Sequence, residues 1–120
     1  MNGNKDMGAP ERESLKSLYE AQRAYQQIVV GKLATKDNPE LFKYHMCAIV
    51  EELGELLKAD KRWKTHRNST YDLAEKMEEL ADVFITVLNL AIFSGIDAEE
   101  LFASVITKIQ MNVEKLEVEK

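Results

Sequence analysis

A chain of 120 residues with a net charge of −5 limits function before any motif is read. The length suits one domain, and the acidic balance argues against nucleic-acid binding, which needs a basic face to displace counterions. A hydrophobic fraction of 45% is ordinary, but so small a chain buries a limited share of its surface, which favours a core shared between subunits.

Residues 1–9 are expected to form a disordered tail, polar and without the apolar region of a secretory signal. Pro10 suits the first position of a helix, where its missing N–H is not needed. From there to about Gly31, Leu15, Leu18, Gln22, Tyr25 and Val29 recur at helical spacing. A linker with Gly31, Lys36 and Asp37 follows, and Asn38-Pro39 supplies a cap and first-turn proline for a second helix to about Asp60. In this helix the single cysteine, Cys47, excludes an internal disulfide, suits a reducing cytosol and is expected to be a small buried apolar residue.

Lys61 to Thr70 has no apolar period and reads as a loop, with Ser69 or Thr70 capping a third helix that stops at Gly95. The fourth helix opens with Asp97 as cap, Glu100 completing a capping box and Ile96 facing Leu101 as a hydrophobic staple. It continues through Val105, Ile109 and Leu116, so that one all-α domain spans 10–117 and residues 118–120 fray. The longest apolar stretch, Leu80 to Phe93, is broken by Asp82, Thr86 and Asn89 and falls short of the roughly 20 apolar residues of a membrane span. A cytoplasmic protein with neither membrane nor nucleic-acid partners is expected.

Two polar stripes stand out. In the second helix, beside an apolar arc of Phe42, Ile49, Leu53, Leu56 and Leu57, the residues Leu41, His45, Ala48, Glu52, Glu55 and Ala59 share one face. In the third helix, apolar almost all round from Leu80 to Phe93, Glu75, Glu79, Asp82, Thr86 and Asn89 form a stripe. An aspartate in a buried helix is costly unless it is paired or holds a metal, and no lysine or arginine follows Lys76 in that helix.

Glu52 and Glu55 form an E-x-x-E pair, and Glu79 and Asp82 an E-x-x-D pair. Hairpin packing would bring the four carboxylates together, where repulsion raises their pKa values or demands cations. All-oxygen ligands favour Mg2+, with Mn2+ or Ca2+ as alternatives, and carboxylate-held Mg2+ accepts phosphate oxygens. Glutamates on exposed helices are common in their own right, so Glu52 and Glu55 gain their weight from the partner pair. A ferritin-like di-iron site needs Glu-x-x-His motifs, and neither His45 nor His66 supplies one.

These residues, EELGE at 51–55 and EELAD at 78–82, resemble the EExxE…ExxD signature of the MazG-like, all-α nucleoside triphosphate pyrophosphohydrolases. The helix break near SGID and the later pair Lys108 and Asn112 are similar too, so the resemblance covers roughly residues 15–116. It implies hydrolysis between the α- and β-phosphates of a nucleoside triphosphate, to a monophosphate and pyrophosphate. It also implies Mg2+ held by Glu52, Glu55, Glu79 and Asp82, with Glu55 orienting or deprotonating the attacking water and Glu51 behind the ligands or on the surface. Removal of noncanonical or excess deoxynucleotides is the corresponding cellular role.

The resemblance further implies a four-helix bundle-type subunit completed by tight dimerisation, as a homodimer or a homotetramer built from two dimers. The almost uniformly apolar third helix asks for the same extra burial. Lys108 and Asn112, one turn apart, could both reach a phosphate chain, or lie on a solvated face where lysine is favourable near a helix C-terminus. Trp63, among Lys61, Arg62, Lys64, His66 and Arg67, could stack on a base or pack over the bundle. Gln22 and Asn89 are further candidate nucleotide contacts, as are His45 and Phe42, though core packing explains them equally. The contrasting class is a helical interaction or nucleotide-sensing module that retains the bundle with little or no turnover.

Overall fold

Local capping chemistry sets the helix boundaries in the computed structural model, which describes residues 14–31, 39–64 and 71–119. These residues form four α-helices and no strand: α1 (Leu15–Val30), α2 (Pro39–Ala59), α3 (Leu73–Phe93) and α4 (Ala98–Glu119). The expected tail, the Pro10 start, the Asn38 cap and the Ser69 or Thr70 cap lie outside the described residues.

Ser14 is extended and its side chain accepts the Ser17 N–H, which caps α1 at Leu15. One start differs from the sequence reading. α3 is capped by Asp72, whose carboxylate accepts the Ala74 N–H at 2.9 Å. An aspartate competes well with serine or threonine as a cap, and its charge complements the helix dipole. The α4 box forms as read: Glu100 accepts from the Asp97 N–H at 3.1 Å, and Asp97 accepts from the Glu100 N–H at 2.8 Å. α3 ends where Gly95 adopts φ 75°, a left-handed conformation open to glycine at little cost. α4 continues to Glu119, past its expected end at 117.

The chain divides into two compact units. One spans 1–33 and 96–120 and holds α1 and α4. There Tyr19, 4% exposed, donates its hydroxyl proton to the Ile96 carbonyl, which ties α1 to the segment that opens α4. Ala98 and Ser17 are buried with it, while Lys16 and Glu99 form a wide, exposed ion pair at 3.8 Å. Such a pair contributes little.

The other unit spans 34–95 and is a hairpin of α2 and α3. The α2 face that meets α3 is the stripe of Leu41, His45, Ala48, Glu52 and Ala59, half-buried or buried throughout. Its small alanines let the helices approach. The apolar arc beside it is only partly covered, with Phe42, Leu53 and Leu57 exposed. At one end of the hairpin His45 stacks on Phe93, with ring centroids 4.7 Å apart and planes 21° from parallel, and Tyr44 meets it edge-on. His45 is 7% exposed, and burial pushes its imidazole pKa down, so the neutral ring is favoured.

Two expectations about burial are corrected. α3 packs against α2 along one side, so burial is confined to Leu88 and Ala91–Phe93, while Leu80, Phe84, Ile85 and Val87 stay exposed. Cys47 is exposed as well, because it lies off the α2 stripe that meets α3.

Candidate metal centre

The hairpin register brings the two acidic pairs level with each other. Glu52 on α2 and Glu79 and Asp82 on α3 each offer one carboxylate oxygen, and these oxygens lie within 4.8 Å of one another. Glu52 and Glu79 are half-buried, and Asp82 is exposed. The case for Asp82 therefore changes. It does not sit in a buried stretch, and its claim to be a ligand rests on its two neighbours.

Negative charges so close oppose each other. The Glu79 carboxyl is pushed above its ordinary value of 4.5, first by lost solvation and then by Asp82, Glu52, Glu55 and Glu75. Three hard oxygen donors with this spacing fit a divalent cation. Mg2+ takes oxygen ligands of this kind, and Glu52, Glu79 and Asp82 would be the residues to hold it. Mn2+ shares the preference, whereas the absence of histidine and cysteine from the cluster disfavours softer metals.

Glu55, the fourth expected ligand, lies one turn along α2 and is exposed; it pairs with Lys58 at 3.5 Å. Both side chains are solvated, so the pair is weak and leaves the carboxylate accessible. Glu51 is exposed on α2. Thr86 on the α3 stripe donates to the Val83 carbonyl at 2.7 Å, which satisfies its hydroxyl within its own helix. Asn89 is half-buried one turn further on. Lys108 and Asn112 belong to the other unit, one turn apart and exposed on α4, and Gln22 is half-buried on α1. Trp63 is half-exposed, its indole N–H donating to the Leu57 carbonyl at 3.3 Å and the Lys64 ammonium 5.2 Å from its ring. It covers the C-terminal turn of α2, whose last carbonyls lack helical donors. His66 and Arg67 lie outside the described residues.

One cluster escapes a reading by periodicity. The Asp60 carboxylate accepts from Arg62 Nε at 2.8 Å and Nη2 at 2.7 Å, and from Lys76 Nζ at 3.0 Å. The Arg62 guanidinium lies over the Tyr71 ring, 3.5 Å from its centroid. Arg62 and then Lys76 hold the Asp60 carboxyl far below its usual range, against the opposing effect of burial. The cluster joins the end of α2 to the first turns of α3. The only sequence signal is an Asp-x-Arg at a helix end, because Tyr71 and Lys76 enter through the fold.

A family model described as dUTPase matches residues 14–119, which include all four helices and every candidate site residue. This chain belongs to the dUTPase family. No curated protein and no solved structure matches it. Membership implies a nucleotide hydrolase, in accord with a hard-cation site. No single helix among the described residues is long and apolar enough to cross a membrane.

The repulsion at Glu79 has a measurable sign. Its native pKa exceeds the unfolded value, so protonation favours the folded state; that contribution is present below about 4.5 and is lost as pH rises through the raised native value. Asp82→Asn removes one repelling charge. In metal-free protein at pH 7 it should raise the unfolding temperature, and the gain should shrink as pH is lowered towards 4.5. An unchanged or lower unfolding temperature in calorimetry at pH 7 would contradict mutual repulsion.

Proposed function

We propose that this protein is a Mg2+-dependent nucleoside triphosphate pyrophosphohydrolase, acting on dUTP or a related deoxynucleotide and releasing the monophosphate and pyrophosphate. The observation that carries the reading is the Glu52, Glu79 and Asp82 cluster in a chain of the dUTPase family. The MazG-like EExxE…ExxD spacing at 51–55 and 79–82 supports cleavage between the α- and β-phosphates.

Glu52, Glu79 and Asp82 would hold the metal, with Glu55 completing the set. A bound divalent ion supplies neutralisation of phosphate charge and a more acidic bound water. Glu55 is assigned to orient the attacking water and to accept its proton, a role supported by its exposed, readily released pairing with Lys58. Oxygen from water then bonds to phosphorus as the bond to the pyrophosphate oxygen breaks. Lys108 and Asn112, adjacent on α4, are assigned to the phosphate chain. Gln22, Trp63 and Asn89 are assigned to the nucleoside, and Glu51 to support of the ligands. Clearance of noncanonical or excess deoxynucleotides, in the cytoplasm, is the corresponding role.

A homodimer, or a pair of dimers, completes the assignment. Met77, Leu80, Ala81, Val83, Phe84 and Val87 line an apolar groove on α3. Among the described residues no large side chain is fully buried. Contiguous apolar surface of this kind is characteristic of an interface. Light scattering at micromolar concentration should give a multiple of 13.7 kDa, and a monomer mass would contradict this assembly.

The catalytic assignment is tested with a triphosphate panel containing dUTP and Mg2+, with pyrophosphate detected. Pyrophosphate release should stop on chelation. Asp82→Asn should lower turnover by about a hundredfold or more and keep the helical circular dichroism, since loss of a carboxylate from a catalytic cation site removes several kcal/mol of transition-state stabilisation. No product from any triphosphate with Mg2+ or Mn2+ would refute it.

A further inference from the structure

The carboxylate cluster has a potential internal competitor for metal. Lys76 lies three residues before Glu79 on α3, a spacing at which the two side chains are neighbours on one helical face. No other lysine or arginine occurs in α3. Were the Lys76 ammonium to settle on Glu79, it would occupy the charge that a cation requires. It is instead drawn the other way, 3.0 Å from Asp60 Oδ2. Asp60 is in turn fixed by the two-pronged Arg62 bond, and Arg62 by the Tyr71 ring. The Lys76 ammonium also lies 5.4 Å from the Tyr71 centroid, an approach that adds to its hold at this end of the hairpin.

We propose that Asp60 is a positioning residue for the metal centre: with Arg62 it captures Lys76 and keeps that ammonium off Glu79, leaving the Glu52, Glu79 and Asp82 oxygens available to a divalent cation. The proposal rests on the metal-site reading above and adds to it a residue outside the cluster. If Asp60 loses its charge, Lys76 has two carboxylates within helical reach. Asp72, four residues back, is engaged in capping Ala74 through Oδ1, and Glu79, one turn ahead, is the partner whose capture would be read as lost metal affinity. Arg62 is tied to Tyr71 and sits beyond the end of α2, so Lys76 is the cation that moves.

The test is Mn2+ binding by isothermal titration calorimetry, without nucleotide and at low ionic strength, with thermal unfolding recorded in parallel. Asp60→Asn should weaken Mn2+ binding roughly three- to fivefold, the scale of one solvated ion pair. Adding Lys76→Met to it should restore the parent affinity while the lost thermal stability stays lost, and Asp60→Glu should keep the parent affinity. A double variant as weak as Asp60→Asn would show a merely structural effect and overturn the proposal, as would an unchanged Asp60→Asn. Lys76→Met alone keeps Asp60 paired with Arg62 and should leave Mn2+ affinity unaltered; a rise would show that Lys76 already competes, which also overturns it. Absence of Mn2+ binding by the parent removes the metal reading and this proposal together, whereas parent binding that is indifferent to Asp60 removes only the latter.

Discussion

Repulsion among the carboxylates of Glu52, Glu79 and Asp82 is the constraint around which the α2–α3 hairpin is organised. Left alone, like charges at this spacing push two helices apart. The hairpin holds them at both ends. At one, the neutral His45 ring stacks on Phe93; at the other, Asp60 binds Lys76 across the connection. The acidic stretch lies between these two fastenings, where small residues on α2 permit close approach. A cation held there, as proposed, would offset that repulsion, and the side chains that fasten the hairpin would then also bear on metal affinity.

Charge is sorted with the same economy. Three cationic side chains of the hairpin are engaged with other carboxylates: Lys58 on Glu55 at the surface, Arg62 and Lys76 on Asp60. The cluster keeps its negative charge, and the Glu79 carboxyl is harder to ionise than usual, first through lost solvation and then through its acidic neighbours. Under the proposed function, such an arrangement would favour a metal–nucleotide complex over a bare triphosphate, whose own charge the cluster would repel. Membership of the dUTPase family gives this acidic cluster a substrate class, a nucleotide, and α3 carries an apolar groove beside it, the surface assigned above to the proposed dimer.

Much of this was legible in the sequence. Helical periodicity and the Asp97 and Glu100 box were sufficient for the number and type of elements, because both signals are local. The i, i+3 spacing of Glu52 with Glu55 and of Glu79 with Asp82 was enough to anticipate a facing pair of acidic stripes. Burial was not legible. The apolar run from Leu80 suggests a helix enclosed on all sides, but one neighbour covers one side, and Asp82 is exposed as a result. Caps were legible only where one candidate stood alone; at α3 Asp72 took the place assigned to Ser69 or Thr70. The Asp60 cluster was invisible, since its partners come from separate segments that only the hairpin unites. Pairing is a property of tertiary structure, and periodicity reports only on single elements.

The most direct measurement is anomalous diffraction from crystals soaked in Mn2+. The account predicts a peak between α2 and α3, in contact with carboxylate oxygens of Glu52, Glu79 and Asp82. Crystals with no peak there, or with Mn2+ bound only elsewhere on the molecule, would contradict it.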